Sequence, residues 1–132
     1  MSTTTTTQTA IDRMLAAIIS TKIDECDAWT DDAILDATVP NWRFHARGVS
    51  QVKRVYRRWF ADPAQMRDLR RWRVPHGEIV EYLLTWTEDG VPHAGHHLHV
   101  IDLRDGLIER DTFFCGGRWP AGLIAEMEAA DG

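Results

Sequence analysis

Val91–Cys115 reads V-P-H-A-G-H-H-L-H-V-I-D-L-R-D-G-L-I-E-R-D-T-F-F-C. Two runs rich in β-branched and aromatic residues flank Arg104-Asp105-Gly106. Asp-Gly between such runs is a strong hairpin signal, because both residues tolerate the positive φ of a tight type I′ turn. Four of the six histidines lie on the first arm: His93, His96, His97 and His99. Strand side chains alternate, so His93, His97 and His99 share one face and His96 takes the other. On the second arm Asp111, Phe113 and Cys115 share a face. If both odd-numbered faces look into one cavity, imidazoles and a carboxylate meet there. Asp111 lies five residues after Gly106 and His99 seven before it, so the two can be opposite or diagonal neighbours.

Upstream of this hairpin, Ile11, Leu15, Ile19, Ile23 and Cys26 recur at helical spacing and predict helix from Thr9 to Trp29. Thr21 with Asp24 has the form of a capping box, which predicts a second, shorter helix from there. Ala33 to Val39 is a short strand stopped by Pro40. Asn41 to Ala46 alternates and is a second short strand. Val49 to Phe60 is the clearest helix: Val52, Val55, Tyr56 and Trp59 form one stripe, and Lys53, Arg54, Arg57 and Arg58 cover the opposite side. Asp62-Pro63 ends it, and a loop runs to about Arg67. Asp68 to Val74 and Glu78 to Thr87 are strands around a turn at Pro75-His76-Gly77. Pro120 suits the first turn of a last helix, Ala121 to Ala129.

The hairpin turns imply antiparallel pairing in a four-strand meander. Three N-terminal helices then cover one face of a curved sheet. The expected class is α+β, a concave mixed or antiparallel sheet whose helices enclose a pocket. The 132 residues make one domain, 10–130, after a disordered polar lead at 1–9.

The composition is that of a soluble globular protein, 44% hydrophobic and 27% charged. No apolar run approaches a membrane span. The polar N-terminus lacks a signal-peptide pattern. Cys26 and Cys115 make no disulfide framework, which favours the cytoplasm. A net charge of −5 argues against nucleic-acid binding. Eight of the fifteen Lys and Arg residues fall between Lys53 and Arg73, which reads as a solvated face.

The segments W-T-D-D-A-I-L-D-A-T-V-P (residues 29–40) and V-I-D-L-R-D-G-L-I-E-R-D (residues 100–111), with Gly48 opening a helix between them, carry a resemblance. They resemble the nuclear transport factor 2-like superfamily, and within it the SnoaL-like branch, over Ala10 to Gly117. The resemblance implies a cone-shaped α+β fold that works without metal or cofactor. The superfamily holds ketosteroid isomerases, polyketide cyclases, scytalone dehydratase, epoxide hydrolases and non-catalytic binding domains, so fold does not give function. The steroid isomerases' catalytic Asp falls on Ala37, with Asp36 one residue off. Their first-helix tyrosine has no counterpart, their second carboxylate falls near His99, and Asp111 takes a cavity-facing position. Scytalone dehydratase is similar in type, using a histidine oriented by an aspartate.

His99 and Asp111, assisted by His97, are the candidate acid–base residues. A carboxylate fixes a histidine's tautomer and raises its basicity. The alternative places these histidines on the convex face at a dimer interface. A metal on His93, His97 and His99 lacks a completing ligand at a standard spacing, so none is expected. Trp42, Tyr56, Trp59, Trp86 and Phe113 are candidates to line a ligand pocket, or else they are core. Cys115 is read as a buried spectator thiol.

The expected activity is cofactor-free proton transfer on a hydrophobic small molecule: isomerisation, cyclisation or dehydration. The alternative is a non-catalytic ligand-binding or dimerisation module. The meander's bare outer face, with Leu98 and Val100, predicts a homodimer.

Overall fold

The computed structural model describes residues 8–132. The chain runs α1 (Ala10–Ser20), β1 (Trp29–Val39), β2 (Trp42–Arg47), α2 (Val49–Trp59), β3 (Ala64–Val74), β4 (Gly77–Glu88), β5 (Val91–Arg104), β6 (Leu107–Cys115), β7 (Trp119–Pro120) and α3 (Ala121–Asp131). One mixed sheet has the order β2-β1-β6-β5-β4-β3, with β7 paired to the start of β5. Every pairing is antiparallel except β1 with β6. This is the α+β architecture expected.

The first helix is shorter than its spacing suggests. It stops at Ser20, because Thr21 takes the left-handed conformation at φ 67°. Ile23 and Cys26 are buried all the same, at 1% and 7% exposed. They reach the core from a loop, and their spacing mimics another helical turn. The second helix expected from Thr21 is absent from the described residues, so two N-terminal helices cover the sheet, not three. The capping box sits one helix start earlier. Thr9 accepts from the Asp12 backbone N–H at 3.1 Å, and Asp12 returns the bond to Thr9 N–H at 2.9 Å. Thr9 therefore belongs to the folded domain, while residues 1–7 of the expected lead lie outside the described residues.

Two strands are longer than expected. β1 begins at Trp29 and reaches β6 through a register shift between Trp29 and Ile34. β3 begins at Ala64 and carries a bulge between Arg67 and Arg70, with Asp68 at φ 55°. The Asp105-Gly106 turn has φ values of 52° and 78°, which only such residues adopt readily.

A two-residue turn alone would pair β5 with β6 so that His99 and Asp111 fall on opposite faces. That register holds next to the turn, where Leu103 faces Ile108. Beyond it Asp102 faces Arg110 and Ile101 faces Asp111, so Glu109 is an extra residue on β6. This bulge turns Asp111 to the face that carries His97 and His99.

The inner face buries Val80, Tyr82, Leu84 and Trp86 of β4, Ile101 of β5, Ile108 and Phe113 of β6, and Leu35 and Ala37 of β1. α1 packs on it with Ile11, Met14, Leu15 and Ile18, and α2 with Val52 and Tyr56. Asp12 also pairs with Arg71 of β3, which ties the helix start to the sheet edge. Thr9→Ala removes one bond of the capping box and is expected to cost about 1 kcal/mol. Urea denaturation checks this; an unchanged midpoint would show that the cap carries no weight.

Candidate active site

Five buried side chains form one hydrogen-bonded chain across the inner face. Tyr56 O–H donates to Asp111 Oδ2. His99 Nδ1 lies 2.9 Å from Asp111 Oδ1. His99 Nε2 lies 2.8 Å from the Tyr82 hydroxyl, and His97 Nδ1 lies 3.2 Å from the same oxygen. Asp111 is 1% exposed, His99 0% and His97 5%.

With Asp111 a carboxylate, which only accepts, and His99 a neutral imidazole, every proton in the chain has one place. Tyr56 and His99 Nδ1–H both donate to it. His99 Nε2 then accepts from Tyr82 O–H, and Tyr82 oxygen accepts from His97 Nδ1–H. The Nε2 of His97 is left without a proton. Burial, helped by the Asp111 charge, pushes the phenols of Tyr56 and Tyr82 well above their ordinary value, so both stay protonated. Burial above all pushes His97 down to about 3, and positive charge nearby, such as that of Arg118, adds to it. His97 is therefore neutral at physiological pH.

Beside this chain lies a cavity of about 310 Å³. Its wall is apolar and aromatic: Val39, Pro40, Trp59, Phe60, Leu84 and Trp86, with Phe113, Cys115, Gly117 and Arg118. His97 is the one member of the hydrogen-bonded chain on that wall. Phe113 packs against both histidines, with ring centroids 5.0 Å from His97 and 4.7 Å from His99. Gly95 leaves room at His97, since a Cβ there would lie 3.0 Å from Nε2.

The residues singled out from the sequence divide into three groups. His97, His99 and Asp111 come together, with His99 opposite Phe113 and diagonal to Asp111. Asp111 and His99 are not on the cavity wall, contrary to expectation, because Tyr56 and Met14 fill that part of the cone above them. Trp59, Trp86 and Phe113 line the cavity. Tyr56 does not; it is wholly buried and holds Asp111. Trp42 is 68% exposed and off the cavity, because it starts the outermost strand, β2.

His93 stands apart, stacked on Trp86 at 5.6 Å and donating from Nδ1 to Val91 carbonyl at 2.8 Å. His96 faces outward and pairs with Glu81 at 2.9 Å. Among the described residues no group of three or more His, Cys, Asp or Glu side chains is placed to hold a metal ion. Burial pushes the Cys115 thiol up, and its one bond is to Gly117 carbonyl. Asp36 lies outside the site: Arg43 holds it at about 2, with Arg43 and Arg110 bonded to its carboxylate. Tyr82 was missed in the sequence. Its signal was a lone phenol on the buried face of an apolar strand, and the β4–β5 register sets it opposite His97.

The depressed His97 makes stability depend on pH. The unfolded chain binds a proton at His97 below about 6.5, whereas the folded chain does not until about 3. This contribution is whole above pH 6.5 and is lost as pH falls toward 3, at up to roughly 1.4 kcal/mol per pH unit. Asp36 acts in the same direction only at lower pH, between its ordinary value near 3.8 and about 2. Melting temperature should therefore fall from pH 7 to about pH 5, and His97→Gln should flatten that slope. An equal slope in both proteins would contradict a neutral buried His97.

No family model matches the sequence, and no curated protein matches it. Solved structures do match. An NTF-2 like protein from Burkholderia xenovorans LB400 superposes with a TM-score of 0.63 at 20% identity, over 82% of this chain and 80% of that one. A protein with a ketosteroid isomerase-like fold from Catenulispora acidiphila DSM 44928, solved in complex with trimethylamine, gives 0.65 at 15%, over 84% and 88%. An M. tuberculosis LEH-like epoxide hydrolase gives 0.65 at 16%, over 80% and 79%. At these identities the likeness is one of architecture, and the chain has the nuclear transport factor 2-like fold.

Proposed function

We propose that this chain is a small cofactor-free enzyme of the SnoaL-like kind that moves protons on a hydrophobic small molecule, as isomerase, cyclase or dehydratase. The observation that carries the reading is His97: a neutral imidazole on an apolar cavity wall, backed by a buried chain that ends on a carboxylate.

An isolated imidazole pushed down to about 3 is a weak base. The chain behind it supplies what it lacks. As His97 Nε2 takes a proton from substrate, Nδ1–H passes to Tyr82 oxygen and Tyr82 O–H passes to His99 Nε2. The positive charge then rests on His99, beside the Asp111 carboxylate, instead of on His97 in the apolar cavity. His97 ends neutral with its proton on Nε2, ready to return it to another substrate atom. Abstraction at one position and delivery at another is an isomerisation; delivery to a leaving hydroxyl is a dehydration. The direct contact belongs to His97, while His99 and Asp111 act through Tyr82.

The second reading is a ligand-binding module in which the same hydrogen bonds only satisfy a buried carboxylate. An enolisable hydrophobic ketone separates the two. In deuterium oxide the protein should accelerate exchange alpha to the carbonyl of β-tetralone, read by NMR. His97→Gln should lower that rate by roughly 10²–10⁴-fold, and Asp111→Asn should abolish turnover while keeping the fold. Tryptophan quenching by the ketone without any exchange would favour the binding module.

We also propose a twofold dimer in the cytoplasm. Both cysteines are free. On the outer face Phe114 is 42% exposed and pairs across strands with the half-buried Leu98, next to Val100. A second copy would cover these groups. Light scattering at micromolar concentration should give twice the chain mass, and a monomer would contradict the assignment.

A further inference from the structure

The cavity wall carries one cation, Arg118, and it stands at the rim. Among the lining residues only Pro40 and Arg118 are exposed. Arg118 lies in the link between β6 and β7. Gly117 has φ 140°, and a Cβ there would sit 2.6 Å from the Trp119 indole nitrogen. Trp119 and Pro120 pair with Ala94 and His93 of β5, which anchors the far end of the link. Arg118 is thereby carried over the opening of the cavity.

Three contacts hold the guanidinium still. Nη1 donates to the Trp59 carbonyl at 3.2 Å, Nη2 donates to the Glu88 carboxylate, and Cζ lies over the Trp86 ring, 4.7 Å from its centroid. Glu88 has a second donor of its own, Trp86 Nε1 at 3.1 Å. Two of the five guanidinium N–H groups are thus engaged, which leaves the other three for a ligand. Arg118 is 44% exposed at its side chain, so it can meet a ligand without a large desolvation cost.

The rest of the wall is apolar, and its one other ionisable nitrogen, on His97, is kept neutral partly by the charge of Arg118. Such a cavity has room for an aromatic or polycyclic body and offers one fixed fork to an oxyanion. The proton-transfer reading needs such a group, because a proton taken by His97 leaves negative charge on the substrate.

We propose that Arg118 is the anion anchor of this cavity, and that its ligands are amphipathic: an apolar ring body with a carboxylate or enolisable carbonyl directed to the rim. The proposal rests on the cavity being the ligand site of the preceding section. It names the class of ligand and adds a residue that composition and spacing did not single out.

Naphthoate and its neutral analogue naphthamide test it, by quenching of Trp59 and Trp86 fluorescence. The wild-type protein should bind naphthoate roughly tenfold or more tightly than naphthamide. Arg118→Gln should remove that preference, bringing naphthoate affinity down to that of naphthamide. Glu88→Gln, which removes the competing carboxylate, should strengthen naphthoate binding. If Arg118→Gln disturbs the rim so that naphthamide also weakens, Arg118→Lys decides: a preference kept with the charge supports the anchor, and one lost overturns it. Equal binding of acid and amide by the wild type, or an acid preference that survives Arg118→Gln, also overturns it. Acid preference without deuterium exchange would sink the proton-transfer reading alone; exchange without acid preference would sink Arg118 alone.

Discussion

The Asp111 carboxylate is the constraint on which the interior depends. It is almost wholly buried, and an unpaired carboxylate in such a place costs several kcal/mol. Two donors from different layers meet that demand: Tyr56 from α2 and His99 from β5. The pairing therefore does structural work by fixing how the helix sits over the sheet. With His99 neutral, an acceptor-only group at one end also sets the direction of every hydrogen bond to His97. Removing one donor leaves a buried charge half-paired, a change that typically costs 3–5 kcal/mol. Tyr56 and His99 are thus tied to folding as well as to the site.

His97 draws its character from two opposed surroundings. Aromatic neighbours Phe60, Tyr82 and Phe113 exclude water and penalise its charge. In the proposed relay the Tyr82–His99–Asp111 chain carries that charge away from the cavity. A histidine with only the first environment would be inert packing. One with only the second, in open solvent, would titrate near neutrality and exchange its proton with water. The cavity holds both conditions at one atom, Nε2. Arg118 at the rim completes the electrostatic pattern, with the positive end outside and the negative end buried.

Much of this was legible in the sequence, and the failures have physical causes. The Asp105-Gly106 turn, the histidine strand and the stripe on α2 follow from turn chemistry and period. The meeting of His99 with Asp111 was read correctly, yet its structural cause was hidden: the turn alone gives the wrong face, and the extra residue Glu109 corrects it. A bulge is a tertiary choice with little local signature. Ile23 and Cys26 gave a false helix because a loop can bury residues at helical spacing. Tyr82 and Arg118 escaped notice because their roles come from register and from a link that crosses the cavity. Trp42 failed because its place on the outermost strand exposes it, which alternation alone cannot show.

The claim that His97 is coupled to Asp111 through Tyr82 is tested most directly by the tautomer of His97. Nitrogen-15 NMR of labelled protein reads it without any substrate. In the wild type, His97 should be neutral with its proton on Nδ1 and Nε2 bare. In Tyr82→Phe, which removes this acceptor together with the donor to His99 Nε2, the His97 proton should leave Nδ1. His97 titrating near neutrality, or the same tautomer in both proteins, would contradict the account.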